Sequence, residues 1–246
     1  MNWVRCLGKR SGPRLICLPH AGGSASFFRD WPAGLPELEL HAVQYPGRAD
    51  RIGEDPPTDL LAMAREITEE VAALADRPLA LFGHSMGAIV AFEVARQLAA
   101  RHIPVRHLFA SGARAAHDPS YAPAGLADAD DDAIMHSLTK LGGTHAELLD
   151  DPMLRELVLP YVRADFLMFE RYGYRPGPLL DCPITTVNGA EDDHVTPARA
   201  AQWRELTTGP CTAREFPGEH FYLLPDPPFA VIRDGAANLD PIGQHT

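Results

Sequence analysis

The pentapeptide Gly83-His84-Ser85-Met86-Gly87 constrains the fold of this chain more than any other feature of its sequence. It ends an apolar run at residues 79–83 and leads into an apolar helical pattern at residues 87–100. When a serine lies on a sharp turn between a strand and a helix, the two elements approach closely, so small residues are needed two positions before and after it. The pattern therefore predicts that Ser85 lies at the carboxyl edge of a sheet, beside the N-terminus of a helix.

Short apolar runs alternate with helical patterns along the chain. The candidate strands are residues 14–18, 38–44, 79–83, 107–111, 183–188 and 212–216. Helical spacing is found at 58–74 and 87–100, and a later helix is predicted to start with Thr196 as its N-cap and Pro197 at its first position. This alternation is typical of a mostly parallel central sheet flanked by helices. With the turn at Ser85, it predicts an α/β protein of the α/β-hydrolase fold.

The region from about 113 to 178 interrupts this alternation, because it contains helical patterns and no convincing strand. Long insertions in compact domains are often functional, so the pattern favours a helical lid that covers a functional site. The alternative is a helical bundle that only decorates the fold. We expect a single domain, 1–246, with its core at 1–112 and 179–246 and a helical lid insertion at about 113–178.

A serine hydroxyl is a weak nucleophile, so it needs a histidine base and an acid that orients the histidine. In α/β-hydrolases the acid and then the histidine follow the serine, each on a loop after a later strand. The loop after the strand at 183–188 carries three adjacent acids, Glu191, Asp192 and Asp193. The pattern alone does not show which of these three acids orients the histidine. Among the later histidines, His194 shares the loop of the acids and His245 is next to the last residue, so His220 is the predicted base.

An oxyanion hole requires two backbone N–H groups, one of them usually from the residue after the nucleophile. Met86 supplies that donor here. The run at 18–24 follows the first candidate strand and resembles the HGGG-type loops, which indicates the Ala21 amide as the second donor. The competing interpretation of this run is a plain glycine turn.

The charge balance excludes some classes of partner. The 246 residues include 22 Lys and Arg against 33 Asp and Glu, a net charge of −11, which repels phosphate backbones and anionic lipid surfaces. We therefore expect no nucleic-acid and no membrane partner. The apolar stretch at 79–95 is too short and too polar to span a bilayer, and the first twelve residues lack the apolar run of a secretory signal.

Cysteine and histidine usage bears on compartment and metal binding. The four cysteines are scattered without CxxC spacing, which favours reduced thiols in a cytoplasmic protein. His194 beside Asp192 and Asp193 favours a polar turn over a metal site. We expect no metal and no cofactor.

Five segments carry a close resemblance to a known family. They are LPHAGG at 18–23, QYPGR at 44–48, GHSMG at 83–87, LPYVRADF at 159–166 and FPGEHF at 216–221. The chain resembles the type II thioesterases, which are the stand-alone editing hydrolases of polyketide and nonribosomal peptide assembly lines. The GxSxG motif is shared with many esterases. The combination of methionine after the serine, the PGR segment and the RADF segment is found in a much narrower group of proteins.

The resemblance implies the removal of unwanted acyl groups from the phosphopantetheine arms of acyl or peptidyl carrier proteins. It also implies a triad of Ser85, Asp192 and His220, with Ala21 and Met86 as the oxyanion amides. The acid of the family stands three residues after a glycine and three before a small apolar residue, and Gly189 and Val195 put Asp192 there. We expect a monomeric enzyme.

Three other hypotheses remain open. A general carboxylesterase would use the same triad, and a preference for oxoesters would favour it. An acyltransferase would pass the acyl group to an alcohol or amine. A non-catalytic binding protein of the same fold is disfavoured because the serine, acid and histidine are all present.

Overall fold

A sheet of seven strands forms the centre of the protein, whose computed structural model describes residues 3–118, 130–134 and 151–236. The strands are β1 (Val4–Gly8), β2 (Arg14–Leu18), β3 (Glu39–Val43), β4 (Leu79–His84), β5 (Val105–Ser111), β6 (Ile184–Gly189) and β7 (Cys211–Phe216). Their order in the sheet is β1-β3-β2-β4-β5-β6-β7. Strand β1 pairs antiparallel with β3, and the other pairings are parallel. The predicted mostly parallel α/β sheet is confirmed.

Helices cover the sheet. They are α1 (Trp31–Gly34), α2 (Leu60–Ala72), α3 (Met86–Ala100), α4 (Pro152–Glu170), α5 (Pro197–Ala201) and α6 (Phe229–Ala236), with short 3-10 helices at Ala25–Phe28, Ala49–Arg51 and Gln202–Leu206. Side-chain caps start several of them: Asp59 accepts from the Ala62 amide before α2, and Thr196 accepts from the Arg199 amide before α5. Each cap satisfies an N–H group that the first helical turn leaves without a partner.

Among the strands of the described residues, β1 is the one that the sequence pattern did not predict. Its residues are mostly half-buried, Cys6 is exposed, and Arg5 interrupts any apolar run. As an antiparallel edge strand, β1 buries less than the central parallel strands do, so its sequence carries a weaker signal. The predicted strands all have counterparts, with ends shifted by no more than a few residues.

Two apolar clusters pack on opposite faces of the sheet. Ile16 and Leu18 of β2 belong to the cluster under α2 and α3, whereas Leu15 and Cys17 belong to the cluster on the face of α1 and α6. This alternation follows from the two-residue period of a strand. With both faces buried, the central strands are continuous apolar runs.

The described residues between 113 and 178 contain α4, a helical turn at 131–134 and no strand. Positions 119–129 and 135–150 of the predicted lid lie outside the described residues. A third small cluster joins Ile134 to Leu159, Val162 and Phe166 of α4, and Ala21 packs against it. Within the ranges that the structure describes, no helix is long and apolar enough to cross a membrane.

Candidate active site

Ser85 occupies the turn between β4 and α3 with a left-handed backbone, at φ 54°. Its amide donates to the carbonyl oxygen of Ser111 at 2.8 Å, which ties the turn to the end of β5. A Cβ on Gly83 would lie 2.2 Å from the carbonyl oxygen of Gly87, and a Cβ on Gly87 would lie 2.2 Å from that of Leu18. The two glycines are therefore required by the close approach of strand, helix and neighbouring loop.

The turn places Ser85 at the N-terminus of α3, a helix of 15 residues. The first amides of a helix have no intrahelical partner and carry the positive end of its dipole. Met86, whose side chain is fully buried, is the first residue of α3. A negative charge that develops on an atom bonded to Ser85 would therefore face a favourable potential.

Two loops meet next to this turn, one after β6 and one after β7. The Ala190 amide donates to the Phe216 carbonyl at 2.8 Å, and the Glu191 amide donates to the Gly218 carbonyl at 3.0 Å. A Cβ on Gly189 would lie 2.1 Å from the carbonyl oxygen of Glu219. Glycine at position 189 lets the loop that carries His220 lie directly against the loop that carries the three acids.

Asp192 and His220 form a buried hydrogen-bonded pair across these loops. Nδ1 of His220 lies 2.7 Å from Oδ2 of Asp192, and each residue is 6% exposed. The His194 amide donates to Oδ1 of Asp192 at 2.8 Å. Burial raises the pKa of the Asp192 carboxyl, but the His220 hydrogen bond and the His194 contacts lower it more, so this pKa lies below its ordinary value. Glu191 and Asp193 are exposed.

The pair lies beside the Ser85 turn. Cε1 of His220 is 3.3 Å from the position that a Cβ on Gly112 would take, and Gly112 follows the residue that accepts the Ser85 amide. The imidazole rings of His84 and His220 are 5.0 Å apart between centroids. The structure thus brings the predicted serine, acid and histidine to one edge of the sheet.

A polar chain runs beneath the site from His84 through Ser111 to Tyr222. Nδ1 of His84 lies 2.9 Å from the Ser111 hydroxyl, which lies 2.7 Å from the Tyr222 hydroxyl. The Tyr222 hydroxyl donates to the Val187 carbonyl, so the hydroxyl of Ser111 donates to Tyr222 and Nδ1 of His84 donates to Ser111. Ser111 is the buried last residue of β5, so this chain of hydrogen bonds lies at the carboxyl edge of the sheet.

The loop at 18–24 passes over the same edge of the sheet. The Gly23 amide donates to the His20 carbonyl at 2.9 Å and closes a turn with Ala21 at its second position. Ala21 is half-buried between this turn and the apolar cluster of α4. The glycine turn and the candidate oxyanion loop are therefore the same structure, and the two interpretations do not exclude each other.

The sequence reasoning assigned no role to Arg48 and Asp165, which form a buried ion pair next to this loop. Burial lowers the pKa of the Arg48 guanidinium, but the negative charge of Asp165 raises it more, so the net shift is upward. The signal was present in the sequence, since both residues lie in segments that carried the family resemblance. It lacked a physical interpretation because 117 positions separate the two side chains.

The fold and this arrangement define the class of protein. The α/β-hydrolase architecture consists of a mostly parallel sheet, a strained serine at a strand–helix turn and a histidine–aspartate pair on the loops after the later strands. Such a site can carry out acyl transfer through a serine ester.

Comparisons with known proteins narrow this class to a family. The sequence profile of the thioesterase domain matches residues 13–238. The chain belongs to the thioesterase family and is a thioester hydrolase.

Individual relatives agree with this assignment. The chain is 42% identical over 232 residues to the thioesterase PikA5 of Streptomyces venezuelae, covering 90% of this chain and 80% of that protein. It is 37% identical over 212 residues to the gramicidin S biosynthesis protein GrsT of Aneurinibacillus migulanus, covering 85% and 82%. The solved structure of the type II thioesterase BorB from the borrelidin biosynthetic cluster superposes with a TM-score of 0.87 at 39% identity, covering 95% of this chain and 97% of that one.

Proposed function

We propose that this protein hydrolyses acyl thioesters through an ester on Ser85, with His220 as the base and Asp192 as its orienting acid. The hydrogen bond between Asp192 and Nδ1 of His220 supports this assignment, because it leaves Nε2 as the lone-pair nitrogen. Nε2 takes the hydroxyl proton as Oγ of Ser85 bonds to the thioester carbonyl carbon. The carbon–sulfur bond then breaks, and the thiol leaves with the proton from His220.

Water completes the cycle on the acyl-enzyme. His220 takes a proton from water as the water oxygen attacks the ester carbonyl, and it returns that proton to Oγ of Ser85 when the acid is released. In both steps the negative carbonyl oxygen is held by the amides of Ala21 and Met86. The position of Met86 at the N-terminus of α3 supports its part in this role.

The acyl group lies between the loop of Ala21 and α4. Support comes from the small apolar cluster of α4, which packs against Ala21 and includes the half-buried Val158 and Tyr161. Apolar side chains at this position exclude water from an ester intermediate. The insertion at about 113–178 acts as the lid of this chamber and favours short or medium acyl groups.

The substrates are acyl groups on the phosphopantetheine arms of acyl or peptidyl carrier proteins, and the role is editing. The similarity to a gramicidin S biosynthesis protein and to a type II thioesterase from the borrelidin cluster supports this substrate class. The enzyme acts as a monomer in the cytoplasm, where a reducing environment suits its four free cysteines.

The test is intact-mass measurement of a panel of acyl-carrier proteins before and after exposure to the enzyme. We expect loss of the acyl mass with the phosphopantetheine arm retained, fastest for short acyl groups. Ser85→Ala serves as the matched inactive control. Faster cleavage of matched oxoesters than of carrier thioesters would favour a general esterase, and acyl transfer to an added amine in place of hydrolysis would favour an acyltransferase.

A further inference from the structure

A buried ion pair joins the segment after β3 to α4. Nη1 of Arg48 lies 2.5 Å from Oδ2 of Asp165, and Nη2 lies 2.7 Å from Oδ1. The Arg48 side chain is 1% exposed and that of Asp165 is 0% exposed. Two parallel contacts of this kind fix the orientation of both groups as well as their separation.

The same pair is attached to the loop that carries Ala21. Oδ2 of Asp165 accepts a hydrogen bond from the Gly22 amide at 2.7 Å, and Nη1 of Arg48 donates to the Gly23 carbonyl at 3.3 Å. The two charged side chains therefore hold the two residues that follow Ala21.

The backbone of this loop shows which turn type the Asp165 carboxylate stabilises. The Gly23 amide bonds to the His20 carbonyl, Gly22 has φ 79°, and Ala21 has no positive φ, which together define a type II turn. Types I and II differ in the orientation of the central peptide, here the one between Ala21 and Gly22. The N–H of that peptide is the group that Asp165 accepts, so the carboxylate stabilises the type II form.

The conformation of this turn also determines the direction of the Ala21 N–H. The Ala21 N–H and the His20 carbonyl belong to one trans peptide plane and point in opposite directions. The Gly23 amide holds the His20 carbonyl inside the turn, so the Ala21 N–H is directed outward from it. The hydrogen bonds that the Gly22 amide donates to Asp165 and that Arg48 donates to the Gly23 carbonyl hold this turn in place, and the Ala21 N–H with it.

Stability alone is a poor explanation for this pair. Well-packed apolar residues commonly replace a buried ion pair at no cost in stability, so a buried pair is weak evidence for a stabilising role. Its hydrogen bonds to a loop at the active site supply a different reason for its presence.

We propose that Asp165, oriented by Arg48, is a positioning residue that maintains the turn presenting the Ala21 amide to the oxyanion. The proposal rests on the proposed function, in which Ala21 is an oxyanion donor. Because Asp165 belongs to α4, the helix of the lid and the oxyanion loop form one hydrogen-bonded unit.

The test is Asp165→Asn, which keeps the size of the side chain and removes its charge. An N-acetylcysteamine acyl thioester is the substrate, so the result does not depend on recognition of a carrier. We expect kcat per active site to fall about 100-fold at unchanged KM, because one oxyanion donor is misplaced. The affinity for an alkyl trifluoromethyl ketone, which forms a tetrahedral oxyanion on the serine, should fall by the same factor.

Glu39→Gln is the matched control. Glu39 pairs with Arg14 at 2.9 Å at the amino end of β3, on the opposite edge of the sheet, and its side chain is 9% exposed. This variant should lower the Tm and leave kcat per active site and ketone affinity unchanged. Equal losses in Glu39→Gln and Asp165→Asn would overturn the positioning role, as would wild-type kcat and ketone affinity in Asp165→Asn.

Arg48→Lys decides the question if Asp165→Asn does not fold. A lysine retains the positive charge but loses the bidentate contact, so kcat per active site and ketone affinity should both fall about tenfold. Wild-type values would overturn the proposal. If the wild-type enzyme cleaves the small thioester and no carrier-bound one, only the carrier assignment fails, and the Asp165 result still stands.

Discussion

Nδ1 of His220 lies 2.7 Å from Oδ2 of Asp192, although the two residues are 28 positions apart and Asp192 has a carboxylate neighbour on either side. The exposed Asp193 makes the comparison direct, because Asp193→Asn removes the same charge from the same loop. Asp192→Asn should lower kcat by about 10³- to 10⁴-fold, since an amide neither stabilises the imidazolium nor selects the required tautomer. Asp193→Asn should change kcat less than about twofold. Steady-state kinetics of both variants measure this difference. Comparable losses of kcat in the two variants would contradict the assignment of Asp192 as the acid.

Ser85→Ala should lower kcat by roughly 10⁴-fold or more, because the members of a triad act as a unit. Ser26→Ala is the control, since the Ser26 hydroxyl is exposed and bonds only to that of Ser24 among the contacts described. A fluorophosphonate probe should label wild type and Ser26→Ala on Ser85 and should leave Ser85→Ala unlabelled. Labelling of another serine, mapped by peptide mass, would move the nucleophile elsewhere.

Gly83→Ala should destabilise the protein by about 3 kcal/mol or more, because its Cβ would lie 2.2 Å from a backbone oxygen and the elements around it are buried. Gly53→Ala adds the same methyl group where nothing lies within 4 Å, so its effect should stay within about 0.5 kcal/mol. Urea unfolding of the two variants measures the difference. Equal stabilities would show that the strand and helix at this turn can separate at little cost.

Three buried histidines predict a loss of stability in mild acid. Burial lowers the pKa of His20 to about 3 and that of His107 to about 4, and it places the pKa of His84 well below 6.5. In the unfolded chain each would titrate near 6.5, so the unfolded state binds more protons below that pH. For His20 and His107 the loss of unfolding free energy begins near pH 6.5 and reaches about 2 kcal/mol each at pH 5, and His84 adds a loss in the same direction. The pKa of Asp192 is lowered below 3.8, so its contribution is lost only at still lower pH.

His107→Gln isolates one of these contributions. A glutamine can retain the hydrogen bond that Nε2 of His107 shares with the Thr185 hydroxyl at 2.8 Å, and it cannot take up a proton. Between pH 7 and pH 5 the free energy of unfolding of His107→Gln should fall less steeply than that of wild type. The difference in slope should correspond to about one proton fewer taken up on unfolding. The exposed His102, at φ 59°, gives the control His102→Asn, because asparagine tolerates that backbone. Identical pH slopes for wild type and His107→Gln would contradict the prediction.

Hydrogen exchange should differ along α4. Met153 and Leu157 near its N-terminal end are 78% and 50% exposed, whereas Val162 and Asp165 are almost fully buried. Amides before position 159 should therefore exchange faster than those around Asp165, and amides of β4 should exchange slowest of the three. Mass spectrometry of peptic fragments resolves these segments. Uniform protection along α4 would show that the whole helix opens, or stays closed, as one body.

The central strands, α2, α3 and the turn at Ser85 could be predicted because their signals are local. A buried parallel strand is a continuous apolar run, and the glycines at 83 and 87 mark a close approach between elements adjacent in the chain. The chain order of serine, acid and histidine also limited the candidates for the site to a few residues. Strand β1 escaped prediction because its pairing with β3 comes from the topology and its half-exposed residues have no clear period.

The sequence by itself determined the fold class and the position of Ser85, because steric limits and apolar periodicity act between residues that are close in the chain. Only the tertiary structure decided which of three adjacent carboxylates meets His220, since that depends on how the loops after β6 and β7 lie against each other at Gly189. The same holds for the pairing of Arg48 with Asp165 across 117 positions. Such contacts form only after the sheet has brought distant loops to one edge, and no local pattern records that distance.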